Sequence, residues 1–573
     1  MANLPTNSHM DGIGLTALSY VHGGSGPPLV GVTIGDFLDA VVEAHGDREA
    51  LVCIAQDLRW TYRELRDRAE LFAAGLIELG LEPGDRLGVW SPNRAEWVVV
   101  QFAAAKAGLV LVNINPAYQS AELEHVLRAA GCKALVTAGR FKSSDYIGML
   151  AEVLADAAEP GGGVASARAP DLRVVIALDD AEGHGYLRYS DVLAIGERAG
   201  TDHVQASQSG NFDDPVDIQF TSGTTGLPKG VTLTHHNLLN NGLQVGVATG
   251  IDIGDRVCLP VPLYHCFGMV MGVLACLARA AVMIFPGESF DPLETLRAVE
   301  RERCTHLYGV PTMFIAMLGQ DRFNAFDLRS LRGGIMAGAP CPAEVMKKVM
   351  SDMNMAEVTI AYGMTETSPV SFQTRRNDPL EARVTTVGRI MPHLEVKIVD
   401  DAERITPIGV PGQVCTRGYS VMAGYWGDPE RTQEVLDAAG WMHTGDIGVL
   451  DEDGYCRIVG RSKDIVIRGG ENVSPREVEE FLYRHPAIQD VQVFGVPDAK
   501  FGEELCAWIV LRPGATADAD GVRTFCRGQI AHFKIPRYVK FVDGYPTTAT
   551  GKVQKFVMRE RAVNELGLGR ETT

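Results

Sequence analysis

Residues 221–230 read TSGTTGLPKG and place hydroxyls, glycines and a lysine in one short stretch after the apolar run DIQF. Glycines let backbone N–H groups approach an anion, and hydroxyls and a lysine add donors, so Thr221, Ser222, Gly223, Thr224, Thr225 and Lys229 suit a polyphosphate. No GK followed by Ser or Thr closes the loop, so it is not a Walker A motif. A polar surface turn is the bland alternative, and the density of donors argues against it. Residues 362–367, YGMTET, follow the apolar run EVTIA. There Tyr362 suits stacking on a flat base, while Thr365 and Glu366 offer hard oxygens to magnesium. In MHTGD, Asp446 suits a pair of ribose hydroxyls, though a turn aspartate is common. Two further segments, GRSKDIVIRGG at 460–470 and TGKVQK at 550–555, bring Arg461, Lys463, Gly469, Gly470 and Lys552.

These segments need elements to hold them. Residues 61–80 carry Leu and Ala at helical spacing and stop at Gly80, RLGVW reads as a buried strand, EWVVVQFAAAKAG as a helix and LVLVNI as a strand. The alternation predicts an α/β fold: a large N-terminal domain of parallel or mixed sheets covered by helices, with a small β subdomain. Near residue 460 the composition changes. Short strand patterns (DIVIRGG, DVQVFGV, LCAWIVL) then interleave with helical ones, which predicts a small mobile α+β domain. The expected domains are 1–460 and 461–573, with a hinge near 461–464. The tail to about Pro28 reads as mobile, and residues 155–170 as an exposed Gly- and Ala-rich insertion.

Composition bounds the partners. In 573 residues, 46% hydrophobic and 22% charged, 53 Lys and Arg face 72 Asp and Glu, a net charge of −19. That balance argues against a nucleic-acid partner but not against a local basic pocket. The 11 cysteines form no CxxC pair and no zinc-finger spacing, which fits scattered core thiols in a reducing compartment. The start lacks a signal-peptide pattern, and the apolar stretch 266–278 is too short to span a bilayer. A cytoplasmic protein is expected, with peripheral membrane contact open and a monomer or homodimer as its assembly.

Taken in order, TSGTTGLPKG, YGMTE, TGD, GRSKD and TGKVQK resemble the adenylate-forming (AMP-binding) superfamily of acyl-CoA synthetases, nonribosomal adenylation domains and luciferases. The resemblance runs from about residue 34 to 557. The further segments PLYHCFG, YGVPTMF, AYGMTETSP and RGGENVSP look most like medium-chain fatty-acyl-CoA synthetases. This resemblance implies an acid–thiol ligase. A carboxylate attacks the α-phosphate of ATP to give acyl-AMP and pyrophosphate, and the thiol of coenzyme A then displaces AMP. It implies that the loop from Thr221 to Lys229 holds the β- and γ-phosphates, and that Gly338, Ala339 and Pro340 pack on adenine opposite Tyr362. Thr365 would contact the α-phosphate, Glu366 and Thr225 would serve magnesium, and Asp446 and Arg461 would hold the ribose. His265 would lie beside the acyl carboxylate, and Lys552 would bridge that carboxylate and the α-phosphate.

Charge repulsion opposes attack of an anion on a polyanion, so cations and not a proton relay are what the reaction needs. No G-x-S-x-G elbow is present. Rotation of the small domain about Lys463 would withdraw Lys552 and bring in the loop at 468–472, where Gly469 and Gly470 admit a narrow pantetheine arm. The acyl tunnel is expected around residues 264–269, 308–314 and 333–337, with Gly309, Gly333 and Gly334 giving it depth. Medium- to long-chain acids are the expected substrates, with aryl acids behind them. The rival readings are a fatty-acyl-AMP ligase that loads a carrier protein, a luciferase-like oxygenase, and a non-catalytic acyl- or nucleotide-binding protein.

Overall fold

The structure is a computed structural model that describes residues 17–155, 166–179, 185–202, 204, 210–221, 228–461, 463–469, 471–548 and 552–568. Short apolar strands build two large sheets. In the eight-stranded one, Val174–Ala177, Cys132–Thr137, Arg86–Trp90, Val110–Asn113 and Pro215–Thr221 run parallel, and Lys229–Thr234 then closes back antiparallel. The nine-stranded sheet carries the parallel run Glu49–Cys53, Val282–Phe285, Arg256–Cys258, His306–Gly309, Gly333–Ala337 and Glu357–Gly363. Parallel strands buried on both faces read as continuous hydrophobic runs, which is why VVIA and VMIF lack alternation.

Helices fill the space between the sheets. In Ala95–Lys106 every residue but Glu96 is buried, as expected of a helix that is apolar all round and touches strands of both sheets. Its one buried charge, Lys106, is satisfied by Asp39 at 2.7 Å and Glu70 at 3.1 Å. The helix His235–Thr249 lies between the sheets too and starts on a capping box of Thr234 and Asn237. The apolar stretch 266–278 is buried from Cys266 to Leu277, as a short helix Cys266–Gly268, a π-helical turn Met269–Leu274 and a helix Ala275–Ala278. Among the described residues no helix is long and apolar enough to cross a membrane. All 11 cysteines are free and buried.

A five-stranded antiparallel sheet forms the β subdomain, and its edge corrects the sequence reading of the tail. Tyr20–His22 pairs with Leu394–Val399, and the Val30 N–H donates to Asn240 at 2.7 Å, so the chain from residue 17 is docked and not mobile. A three-residue edge strand beside Gly23, Gly24 and Gly26 is too short to leave a period in the sequence. The expected insertion at 155–170 falls mostly outside the described residues. After residue 465, Val466–Arg468, Glu471–Val473, Ile488–Asp498, Gly502–Leu511 and Tyr538–Phe541 make a separate sheet with its own core around Val478, Val491 and Leu505. It meets the larger body where Ser474 Oγ donates to the Val459 carbonyl at 2.5 Å and Arg476 to the Ile458 carbonyl at 3.0 Å.

Candidate active site

Several of the chemistry-bearing residues come together where these bodies meet. Near the end of strand Glu357–Gly363 stands Tyr362, whose hydroxyl donates to Asp446 Oδ2 at 2.6 Å. Strands Met442–Leu450 and Cys456–Arg461 are neighbours, and their register sets Asp446 opposite Arg461, whose Nε donates to Oδ1 at 3.1 Å. Each Asp446 oxygen keeps a second lone pair, so the carboxylate can still accept from ribose hydroxyls. Burial, and then Asp446, push the Tyr362 phenol well above its ordinary range and keep it a donor. Its ring meets Phe372 edge-on at 5.9 Å.

Thr365 and Glu366 follow on the turn Thr365–Thr367, and both are buried. Glu366 Oε1 accepts from the Tyr425 hydroxyl at 2.9 Å, and the Lys229 ammonium lies 4.8 Å from the centre of the Tyr425 ring. Tyr425 thus joins the phosphate-loop lysine to the acidic residue. Sequence reasoning missed it, although an aromatic between glycines in AGYWG was an available signal. Thr221 and Lys229 face each other across antiparallel strands, the two ends of the expected phosphate loop. Ser222, Gly223, Thr224 and Thr225 lie outside the described residues. No group of three or more His, Cys, Asp or Glu able to hold a metal occurs among the described residues. A single buried carboxylate such as Glu366 nevertheless fits magnesium, which takes its remaining ligands from phosphates and water.

Gly338, Ala339 and Pro340 form a loop at the end of strand Gly333–Ala337, with Gly338 at φ 83°. A Cβ there would also stand 3.2 Å from Val310, so glycine fits this turn on both counts. His265 caps the short helix Cys266–Gly268: its Nδ1 accepts from the Phe267 N–H at 3.1 Å, which leaves the proton of a neutral ring on Nε2. Burial and the charge of Lys552 push the imidazole down to about 4, so it is a neutral donor near pH 7.

Lys552 arrives from the far end of the chain. It is open to solvent along the cleft yet surrounded by protein, and it feels the charges of Arg461, Asp446, Asp464 and Glu366. Burial first, then Arg461, push its pKa below the ordinary lysine range. Lys463 sits exposed in the turn after Arg461. Gly469, at φ 60°, opens the turn between Val466–Arg468 and Glu471–Val473; Gly470 is outside the described residues. The acyl region differs from expectation. A Cβ on Gly309 would stand 3.0 Å from Phe314, on Gly333 3.2 Å from His306, and on Gly334 2.0 Å from the Leu307 carbonyl. These glycines serve close packing, not tunnel depth, and the Phe267 and Tyr308 rings stack 6.0 Å apart beside them.

Comparisons with known proteins place the chain in a family. The chain matches the AMP-binding enzyme family over residues 38–426 and the AMP-binding enzyme C-terminal domain over 477–552. It is 45% identical over 561 residues to the mitochondrial medium-chain acyl-CoA ligase ACSF2 of Mus musculus, covering 96% of this chain and 91% of that one. Among solved structures, the anthranilate CoA ligase AuaEII in complex with anthranoyl-AMP aligns with a TM-score of 0.83 at 27% identity, over 94% of this chain and 99% of that one. ATP-bound MatB from Rhodopseudomonas palustris aligns with a TM-score of 0.79 at 30% identity, over 92% and 99%.

Proposed function

This chain belongs to the AMP-binding enzyme family, and from that membership we propose that the cleft around Lys552 joins a medium-chain fatty acid to coenzyme A. It is an ATP-dependent acid–thiol ligase that forms acyl-AMP and then acyl-CoA. One observation supports the site reading above the others: Lys552 enters a cleft already furnished with Tyr362, Glu366, Asp446 and Arg461. In the first step a carboxylate oxygen bonds to the α-phosphorus and the bond to pyrophosphate breaks. Lys552 neutralises charge between the two anions, and the His265 Nε2–H donates toward the carboxylate. Lys229 and the loop before it hold the outer phosphates, Asp446 and Arg461 hold the ribose, and Tyr362 with Gly338–Pro340 encloses the adenine. Glu366 and Thr225 would hold a magnesium ion, which would further neutralise phosphate charge.

In the second step the coenzyme A sulfur bonds to the acyl carbon, the bond to AMP breaks, and the thiol proton leaves to water. Lys552 occupies the cleft in this structure, so thioester formation calls for the domain 461–573 to turn about residues 461–464 away from domain 1–460 and present Gly469 and Gly470 instead. Medium chain length is supported by the ACSF2 relative; the stacked Phe267 and Tyr308 would bound the alkyl tail. Eleven free, buried cysteines support a reducing compartment such as the cytoplasm. Coenzyme A-dependent AMP release from acids between acetate and palmitate tests the reading. A maximum among medium-chain acids is expected, and a maximum at acetate, palmitate or an aryl acid would overturn the chain-length assignment.

A further inference from the structure

Behind His265 lies a buried polar cluster that the reaction scheme does not use. Strands Val110–Asn113 and Pro215–Thr221 are parallel neighbours, in register Asp217 beside Leu111 and Gln219 beside Asn113. Asp217 and Asn113 are 1% and 2% exposed. The Asn113 amide nitrogen donates to Asp217 Oδ2 at 3.0 Å and to the Met269 sulfur at 3.0 Å, which uses both its hydrogens. Gln219 also faces the carboxyl; its amide nitrogen gives one hydrogen to the Met269 sulfur at 2.8 Å and turns the other toward Asp217 without forming a hydrogen bond to Oδ1. Two oxygens are then left without a donor: Asn113 Oδ1 and Asp217 Oδ1. Two buried acceptors of one facing acid and amide, already joined by one hydrogen bond, are what a single proton would satisfy together.

We propose that Asp217 is a neutral acid that donates from Oδ1 to Asn113 Oδ1, closing a two-bond acid–amide pair that positions the turn at His265 and Cys266 for acyl-AMP formation. The link to the turn is direct. Gln219 Oε1, two residues along the same strand, accepts from the Cys266 N–H at 3.2 Å and thiol at 3.0 Å. Met269, held by both amides, opens the π-helical turn that follows the His265 cap. Such turns interrupt helices at functional sites. The surroundings favour the neutral form. Leu111 and Leu233 flank Asp217 on the neighbouring strands, Met269 covers the amides, and the titratable Cys266 thiol feels both Asp217 and Glu366. Burial accordingly pushes the Asp217 carboxyl well above the usual carboxylate range, against the lowering pull of Gln219 and Asn113.

The positioning role rests on the ligase reading above; the protonation state does not. Infrared spectra of the full chain, labelled with carbon-13 at the aspartate carboxyls, settle that state at pH 8. A protonated-carboxyl C=O band that shifts with the label and in deuterium oxide is expected. Asp490, the other described aspartate raised by burial, reaches only about 6 and is ionised at that pH. Absence of the band overturns the proposal without any variant. Asp217→Asn keeps a donor at the same place and is expected to retain ATP–pyrophosphate exchange within about threefold, whereas Asp217→Leu loses more than about tenfold. A folded Asp217→Asn protein as impaired as Asp217→Leu overturns the positioning role. Wild-type protein inactive with every acid would sink the ligase reading and leave the infrared result standing.

Discussion

At the scale of single residues, Lys552 carries the sharpest test. Lys552→Ala should slow acyl-AMP formation by about 10²–10³-fold while sparing thioester formation from supplied acyl-AMP, because only the first step faces two anions. Equal loss in both half-reactions would refute its placement. Its pKa is lowered by burial and Arg461, so the cation is lost at a lower pH than for an ordinary lysine. The acyl-AMP rate should therefore fall on the alkaline side before the ordinary lysine range is reached. Tyr362 offers a second test. Its hydrogen bond to the Asp446 carboxylate is charge-assisted, and Tyr362→Phe should raise the KM for ATP about tenfold with a smaller change in kcat. These residue types were legible in the sequence because the chemistry restricts them: a hydroxyl-rich loop, a hard carboxylate, a lone lysine. Tyr425 was not, because its role exists only through contacts with Lys229 and Glu366.

At the scale of elements, strand ends decide where these residues meet. Tyr362 lies near the end of one parallel strand of the nine-stranded sheet and Gly338 follows its neighbour, while Thr221 and Lys229 belong to the eight-stranded one. The small domain rests on the larger body through Ser474 and Arg476. Arg476→Ala should loosen that seat and lower acyl-AMP formation by about two- to fivefold, with thioester formation from supplied acyl-AMP less affected. A change in the second half-reaction alone would contradict this. Strand and helix runs such as RLGVW and EWVVVQFAAAKAG were legible from their apolar pattern. The edge strand Tyr20–His22 was not, since it is held by pairing with Leu394–Val399 and not by its own pattern. Deleting residues 1–30 should lower Tm in thermal unfolding, and an unchanged Tm would contradict the docking of that edge strand.

At the scale of the whole molecule, charge and burial set the pH limits. The net charge of −19 belongs to an enzyme whose substrates are also anions; Lys552 lies within the field of Arg461 and Glu366, and Lys229 reaches Glu366 only through Tyr425. Magnesium would complete that set, and chelation with EDTA should stop ATP–pyrophosphate exchange until magnesium is restored. Buried His235, whose Nδ1 accepts from the Ile34 N–H at 3.1 Å, is pushed down from 6.5 to about 4 by burial. The unfolded chain then binds a proton that the folded one refuses. The stability this provides is complete above about pH 6.5 and is lost as the pH falls toward 4. Thermal unfolding followed from pH 7 to 4.5 should show a falling Tm, and a flat curve would contradict it.

The sequence by itself determined the reaction class, because motif chemistry is local: each segment carries its donors within a few residues. It also determined the alternation of strands and helices, because burial on one face or both leaves a period or an apolar run. Only the tertiary structure decided what faces what. It showed that Gly309, Gly333 and Gly334 meet occupied space. It set Asp217 beside Asn113, and it brought Lys552 to Asp446 and Glu366. Those relations join residues far apart in the chain, and their energies come from desolvation and pairing that no single segment contains.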